Sequence, residues 1–576
     1  MTSHTLDGFL VSLAPARLRG WPAPETVGDS SVWWHGYLAH PATLHTELGL
    51  PATASIGRIV EAGWRRWGTA IADHLTGEYA AVVLDARGAA IVGDRMGLRP
   101  IYYTCGPDGA AVSTDLGALA RETGAWREVD DDYLADLFGT GLHLGSRTPY
   151  RRIRRLRMGE VATWRGGRLT VAGGWRPRVD PAAGSFDEHQ ERLRDTVRAA
   201  VAGALPSGAP AVELSGGLDT STVLAVAAGL APVQAFSFVH PGDPAGDETP
   251  WIRAALEATP TPWHPIDATA HATFGAGPEL GAFLAAPSRR IINWAPTAAE
   301  VAAVGRLGLS TILTGEGGDA VFFAGLLPWY LADLLRTGRL DRLRRESLRW
   351  GSHAQPRRSA AFWIRRAAVG GWWRWRRGQA LTLEPFRPLA VSAPWLSPGY
   401  VTSRHLDRRP TAGVTVRAAS VHGQAVLENI ARGAEFARSR HVIASPGVEF
   451  RHPLLHPAVV DLALSTPWPV AVDPRIDRAV QRYAFAGTVS QTVLRRRSKP
   501  LADHAILRGF ERHPAWREYL RDNPEVVRRG YVDAATWDAA VRDVGRIGGV
   551  TQLYSAIQIE VWLRHLHHAG APTLLR

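Results

Sequence analysis

Glu213-Leu214-Ser215-Gly216-Gly217-Leu218-Asp219-Thr220-Ser221 decides the fold of the larger part of this chain. A short apolar strand (Ala211-Val212) runs into a Gly-rich turn and then into a helical pattern. Two glycines let the backbone approach a ligand closely, and the helix start aims free N–H groups and a positive dipole end at an anion. Ser215, Thr220 and Ser221 add hydroxyl donors. The turn lacks the Gly-Lys-Ser/Thr ending of a Walker loop, so a kinase or GTPase phosphate site is not implied. Asp219 would repel a bare phosphate, but it suits a site where Mg²⁺ bridges phosphates.

A second turn, Thr314-Gly315-Glu316-Gly317-Gly318-Asp319, also follows an apolar run, Thr311-Ile312-Leu313. In an open parallel sheet, ligands bind beyond the carboxyl ends of the strands, near a switch in strand order. With both strands near that switch, Asp219 and Asp319 face one metal-bound polyphosphate, and Glu316 is placed to act on a substrate amine. The helical pattern of 187–205 and the buried strand Pro232–His240 complete an alternation of strands and helices, which predicts a parallel sheet covered on both faces. The last ~100 residues read as mainly helical.

Upstream the texture differs. Residues 78–104 read as short strands with turns at Ala86-Arg87-Gly88 and Met96-Gly97, and 159–175 as a hairpin turning at Arg165-Gly166-Gly167. The Pro/Gly-rich stretch 176–186 is a linker. Two domains are expected: a strand-rich layered domain over 1–180 and a larger α/β domain with a helical extension over 187–576.

The 576 residues are 45% hydrophobic and 21% charged, within the range of folded globular chains. No apolar run of about 18 residues occurs, so no membrane span is expected. The start lacks a secretory pattern. A single cysteine, Cys105, excludes an internal disulfide and a zinc cluster and fits a cytoplasmic protein. Of 66 basic residues one is lysine, Lys499. In a chain that otherwise uses arginine, a compact ammonium there points to a need that a planar guanidinium does not meet. The net charge of +12 is concentrated: residues 333–378 hold thirteen Arg against three acids, together with Trp350, Trp363, Trp372, Trp373 and Trp375. That segment reads as a helical insertion. Three further readings are open for it: a nucleic-acid surface, a membrane-surface helix, and a docking face for a peptide or partner protein.

The two turns, Arg451–Pro467 (RHPLLHPAVVDLALSTP) and Arg495–Pro500 (RRRSKP) occur in the order seen in the asparagine synthetase superfamily. Residues 77–103 (GEYAAVVLD…GDRMGLRPIYY) resemble that family's N-terminal glutaminase-type domain. The resemblance implies a layered α/β/β/α, Ntn-hydrolase-like domain followed by a parallel-sheet ATP-pyrophosphatase domain. It implies ATP binding at Leu214, Ser215, Gly216, Gly217, Asp219, Thr220 and Ser221, with Thr314 and Gly315, and Mg²⁺ on Asp219 and Asp319. In that family a carboxylate is adenylated and an amine then displaces AMP. An essential lysine matches Lys499, which would stabilise charge building on the phosphates. Glu316 matches the place to orient or deprotonate the amine.

Glutamine-dependent members use a cysteine at position 2, where this chain has Thr2. The expectation is a glutaminase fold without glutaminase activity, the amine coming from the second substrate. His456 stands where the family usually has Asp, and Ala320 where a Glu often follows the metal Asp. The chain thus resembles lasso peptide cyclases, which adenylate an Asp or Glu side chain of a peptide and close a macrolactam with its N-terminal amine. β-Lactam synthetases and ammonia-using amide ligases are the alternatives. The resemblance implies a precursor peptide as substrate and a leader-binding protein and leader peptidase as partners, with no nucleic acid. A catalytically silent peptide-binding scaffold and an RNA-modifying ATP pyrophosphatase are the rivals from other classes. Joint retention of Asp219, Asp319 and Lys499 speaks against the first, and the N-terminal domain against the second.

Overall fold

The computed structural model of the protein describes residues 8–14, 17–107, 109–179, 185–243, 246–278, 284–325, 328–354, 357–381, 393–406, 416–442, 447–497, 502–547 and 553–568. Lys499, Thr2 and most of the 176–186 linker's centre (180–184) lie outside them.

The alternation of side chains along one strand shows how the N-terminal part is layered. Strand β5 (Gly77–Asp85) sends Tyr79, Ala81 and Val83 into one apolar cluster and Ala80 and Val82 into another. A period of two with both faces buried requires cover on each side. On one side lie the helices Pro41–Leu48 and Ile56–Trp67, which contribute Leu44, Ile59 and Val60. On the other lies a second antiparallel sheet: Val11 and Leu13 of β1 (Leu10–Ala14) and Ala110 and Val112 of β8 (Gly109–Ser113) meet Ala80, Val82 and Ile91. The helices Leu116–Glu122 and Asp131–Thr140 pack beyond it with Ala111. This is the expected α/β/β/α stack.

Both expected hairpins are present. β5 turns at Ala86-Arg87 into β6 (Gly88–Gly93), and β10 (Glu160–Arg165) turns at Gly166-Gly167 into β11 (Arg168–Gly173). Cys105 is an exposed residue of β7 (Tyr102–Gly106), paired across from Ala110.

The second unit is a five-stranded sheet, parallel throughout, whose strands lie side by side in the order Trp263–Asp267, Gln234–Val239, Ala211–Glu213, Thr311–Leu313 and Glu449–Arg451. Its strands are β12 (Ala211–Glu213), β13 (Gln234–Val239), β14 (Trp263–Asp267), β15 (Thr311–Leu313) and β16 (Glu449–Arg451). Val212 and Leu313 face the cluster that holds the helix Phe186–Ala204, whereas Ala211 and Ile312 face the helix Trp294–Arg306. Helices therefore cover both faces. The first strand, β12, is central. The chain builds outward through β13 and β14, then returns to lay β15 on the opposite side of β12. The strand order thus reverses between β12 and β15, the two strands that carry the Gly-rich turns.

The Arg/Trp segment forms a helical hairpin, Leu340–His353 followed by a continuous helix through 376 whose middle turn, Ile364–Val369, is a π-helix. Trp350 and Trp363 are buried in edge contact at 5.2 Å, and Trp350 donates to the Tyr330 hydroxyl at 2.8 Å. Trp373 is exposed, with Arg377 over its ring at 5.0 Å. Most of the tryptophans therefore anchor the hairpin to the body. No helix among the described residues is long and apolar enough to cross a membrane.

Candidate active site

The two turns meet beyond the carboxyl ends of β12 and β15, over a cleft of about 720 Å³. Gly216 adopts φ +66°, and a Cβ there would stand 2.8 Å from Cβ of Trp251. Gly217 is the N-cap of the eleven-residue helix Leu218–Ala228. Thr220 closes the first turn on itself: its hydroxyl accepts from the Ser215 amide at 3.1 Å and lies 3.1 Å from the Ser215 hydroxyl. In the second turn Gly317 is left-handed (φ +87°) and presses on Leu455, while the Glu316 amide donates to the Thr314 hydroxyl at 3.2 Å. Glycine at 315 and 318 lets this turn lie directly against Thr220 and Asp219.

Leu214, Ser215, Gly217, Asp219 and Thr220 of the first turn and Gly315, Glu316 and Asp319 of the second line the cleft. Gly216, Ser221 and Thr314 support it from behind. Ser221 and Thr314 are buried, and Thr314 donates its amide to the carbonyl of Arg451 at 3.0 Å. Arg497 and Ala505, on either side of Lys499 in sequence, both line the cleft. His456 is not in its wall. It caps the helix Pro457–Ser465, its Nδ1 accepting from the Ala458 amide at 3.3 Å, and burial lowers its pKa to about 4. A short acceptor for a helix N-terminus is what the usual Asp would also supply.

Asp219 and Asp319 converge on one guanidinium. Arg478 donates to Asp219 at 2.7 Å and to Asp319 at 2.7 Å, and Gln481 donates to the other Asp219 oxygen at 3.1 Å. Burial raises the Asp219 pKa and Arg478 opposes that, while Asp319 adds to it. Arg478 itself stands in the left-handed region at φ +55°, a conformation that costs a non-glycine residue about 1–3 kcal/mol and persists only where contacts hold it. Among the described residues no group of three or more His, Cys, Asp or Glu is arranged to hold a metal. Two hard carboxylates converging on a single cation nevertheless fit Mg²⁺, which is commonly held by one or two carboxylates with phosphate and water completing the shell.

Glu316 lies in a second charge cluster that sequence reasoning missed. Arg290 donates to it at 2.8 Å and Arg440 at 3.2 Å. Burial favours its neutral form, but the two guanidinium groups win and hold its pKa at about 2. Arg440 also pairs with Glu213 at 2.5 Å and lies 3.7 Å from Glu300. Burial raises the Glu300 pKa, and the adjoining Glu213 carboxylate raises it further. The signals for these residues were faint. Glu213 ends an apolar strand, and Glu300 is the one acid in the helix WAPTAAEVAAVGR, on its buried face beside Thr297.

The layered unit packs against this one through buried ion pairs. Arg99 meets Glu449 of β16 and Arg155 donates to Glu435 at 3.2 Å, and Glu78 adds a hydrogen bond, accepting from the His452 amide at 2.5 Å.

Comparison with known proteins agrees with this architecture. The family model described as asparagine synthase matches residues 190–564, and one described as a glutamine amidotransferase domain matches 50–175. A Bacillus subtilis (strain 168) relative, asparagine synthetase [glutamine-hydrolyzing] 3, is 28% identical over 220 residues, 34% of this chain and 35% of that one. A putative asparagine synthetase [glutamine-hydrolyzing] of Mycobacterium tuberculosis (strain ATCC 25618 / H37Rv) is 26% identical over 226 residues, 36% and 34% of the two chains. The matches thus span about a third of the length of these curated relatives. Among solved structures, glutamine phosphoribosylpyrophosphate amidotransferase from B. subtilis aligns at 13% identity, covering 42% of this chain and 47% of that one, with a TM-score of 0.20, too low to bear on the fold. The asparagine synthase match covers well over half of the residues, and the chain belongs to the asparagine synthase family.

Proposed function

We propose that the protein is an ATP-dependent amide-forming ligase that closes a macrolactam in a ribosomal peptide. An Asp or Glu side-chain carboxylate of the peptide attacks the α-phosphorus of ATP, releasing pyrophosphate. The peptide's N-terminal amine then attacks the acyl-adenylate and displaces AMP. The observation that carries the ligase reading is the meeting of the two Gly-rich turns at the strand-order switch, with Asp219 and Asp319 converging on one cation. In the family context that arrangement is suited to a metal-bound triphosphate.

Each residue then has a part to play. The Ser215–Ser221 turn and the start of its helix receive phosphate oxygens through backbone N–H groups and hydroxyls. Asp219 and Asp319 are the residues that would hold Mg²⁺, which supplies neutralisation of phosphate charge. Lys499 stabilises charge on the phosphates during both steps. Glu316 stays ionised at any working pH and sits between Arg290 and Arg440. It is therefore suited to orienting an ammonium rather than taking its proton, because a base is most effective when its pKa lies near the pH of work.

The macrocyclising branch is supported by two features. The chain's only cysteine, Cys105, sits inside β7, where it has no free α-amine beside it to act as an N-terminal nucleophile. An amine supplied by the substrate itself removes the need for glutamine hydrolysis. The 340–376 hairpin leaves Leu348, Val369 and Trp373 exposed in an arginine-rich segment, side chains of the kind that hold a peptide. A precursor peptide, a leader-binding protein and a leader peptidase are the partners this reading requires.

ATP–pyrophosphate exchange tests it. The substrates are free aspartate, a β-amino acid, and a leaderless peptide with an acid about seven to nine residues from its N-terminus. Exchange with the peptide supports the reading, whereas exchange with aspartate alone or the β-amino acid alone replaces it with the corresponding small-molecule ligase.

A further inference from the structure

We propose that the Glu213–Glu300 carboxyl pair, rather than Glu316, receives the proton from the attacking primary ammonium. The inference rests on the ligase reading above and names the proton acceptor of its second step.

A buried carboxylate in an apolar helix is costly unless it is paired, and Glu300 lies on the buried stripe of Trp294–Arg306, between Thr297 and Val304. Its neighbours on that stripe, Val301 and Val304, are apolar, so the stripe itself does not call for an acid. Glu300 lines the cleft, as do Glu213 and Glu316. The charged groups facing it are Glu213, Arg440 and Arg290.

These three acids share two guanidinium groups unequally. Arg290 and Arg440 both reach Glu316, and Arg440 also pairs closely with Glu213, so Glu300 is left with Arg440 at 3.7 Å as its nearest cation. Two carboxylates beside a single guanidinium carry one negative charge in excess, and one proton taken up on Glu300 removes it while Glu213 keeps its pairing with Arg440. Glu316, doubly ion-paired, cannot do so at comparable cost. The raised pKa of Glu300 is consistent with this division. An α-ammonium titrates at about 7.7–8.0, so a proton acceptor in that range is matched to it.

The step balances as follows. The ammonium gives one proton to the carboxyl pair. The neutral nitrogen forms its bond to the acyl carbon as the bond from that carbon to the phosphate oxygen breaks, and the electron pair leaves on AMP. The excess proton on the new amide nitrogen passes to solvent.

The test separates the two half-reactions in Glu300→Gln and Glu213→Gln, using the substrate that supports exchange in the wild-type protein. Pyrophosphate exchange is expected to stay within about threefold of wild type, while amide formation falls by about 100-fold or more. Hydroxylamine, a nucleophile that is neutral at pH 7, is expected to capture the acyl-adenylate at the wild-type rate in both variants. Amide formation within threefold of wild type across pH 6–9 would overturn the proposal. So would loss of exchange and hydroxylamine capture together, since that marks a role in folding or adenylation. Absence of exchange in the wild-type protein with every substrate overturns the ligase reading itself.

Discussion

A Cβ on Gly318 would stand 2.4 Å from the carboxyl carbon of Asp219, so the second turn touches the first through a residue with no side chain. Both are backed by packed structure, with Gly318 itself buried. The separation of Asp219 from Asp319 is therefore set by the absence of one methyl group.

Gly318→Ala should push Asp219 away from Arg478 and Asp319. A displacement of about 1 Å at a reacting centre costs on the order of 100-fold in rate, so pyrophosphate exchange should fall by about that factor. The overpacking itself should cost about 1–3 kcal/mol in urea unfolding. Unchanged exchange would show that the turns are free to separate.

Arg478 stands where a dication would compete with it. Arg478→Ala leaves Asp219 and Asp319 facing each other without their shared guanidinium, so they should prefer a metal more strongly. Titration calorimetry with MnCl₂, in the absence of nucleotide, should show at least about tenfold tighter binding than in the wild type. Equal affinity would mean that the two aspartates do not form a metal site.

Glu316 should make stability acid-sensitive. Its folded pKa of about 2 lies below its ordinary value of 4.5, so its contribution is present above about pH 4.5 and is lost as pH falls towards 2. At about 1.4 kcal/mol per unit the upper limit is about 3 kcal/mol. Glu316→Gln should be less stable than the wild type at pH 7 and indistinguishable from it near pH 2, by urea unfolding. A constant difference over that range would assign the effect to packing.

Lys499→Arg tests the one lysine directly. The charge is kept while the compact ammonium is replaced by a planar fork. Product formation should fall by about 100-fold or more with the melting temperature unchanged, and turnover near wild type would remove Lys499 from the proposed chemistry.

Most of the layered architecture was legible in local pattern. The period-two runs around Tyr79–Val83, the Gly166-Gly167 turn and the helical spacing of 187–205 are short-range features, and each formed the expected element. β14 and β16 were not anticipated. Trp263–Asp267 carries a proline, and Glu449–Arg451 is a three-residue strand with two charged members; both form because they pair with the apolar neighbours β13 and β15. The five tryptophans of 333–378 looked alike in sequence, yet Trp350 is buried and Trp373 exposed, because only the former faces Tyr330.

The sequence by itself determined the two Gly-rich turns, the acids they carry and the alternation that makes a parallel sheet, since glycine spacing and apolar periodicity act over a few residues. Tertiary structure alone decided which charges meet. Arg478 reaches Asp219 across 259 residues of chain, and Arg440 reaches Glu316 across 124 and Glu213 across 227. No local pattern encodes such pairings. They follow from where the helices after β15 and β16 deliver their arginines, and in a chain with 66 basic residues any acid has many possible partners until the fold selects one.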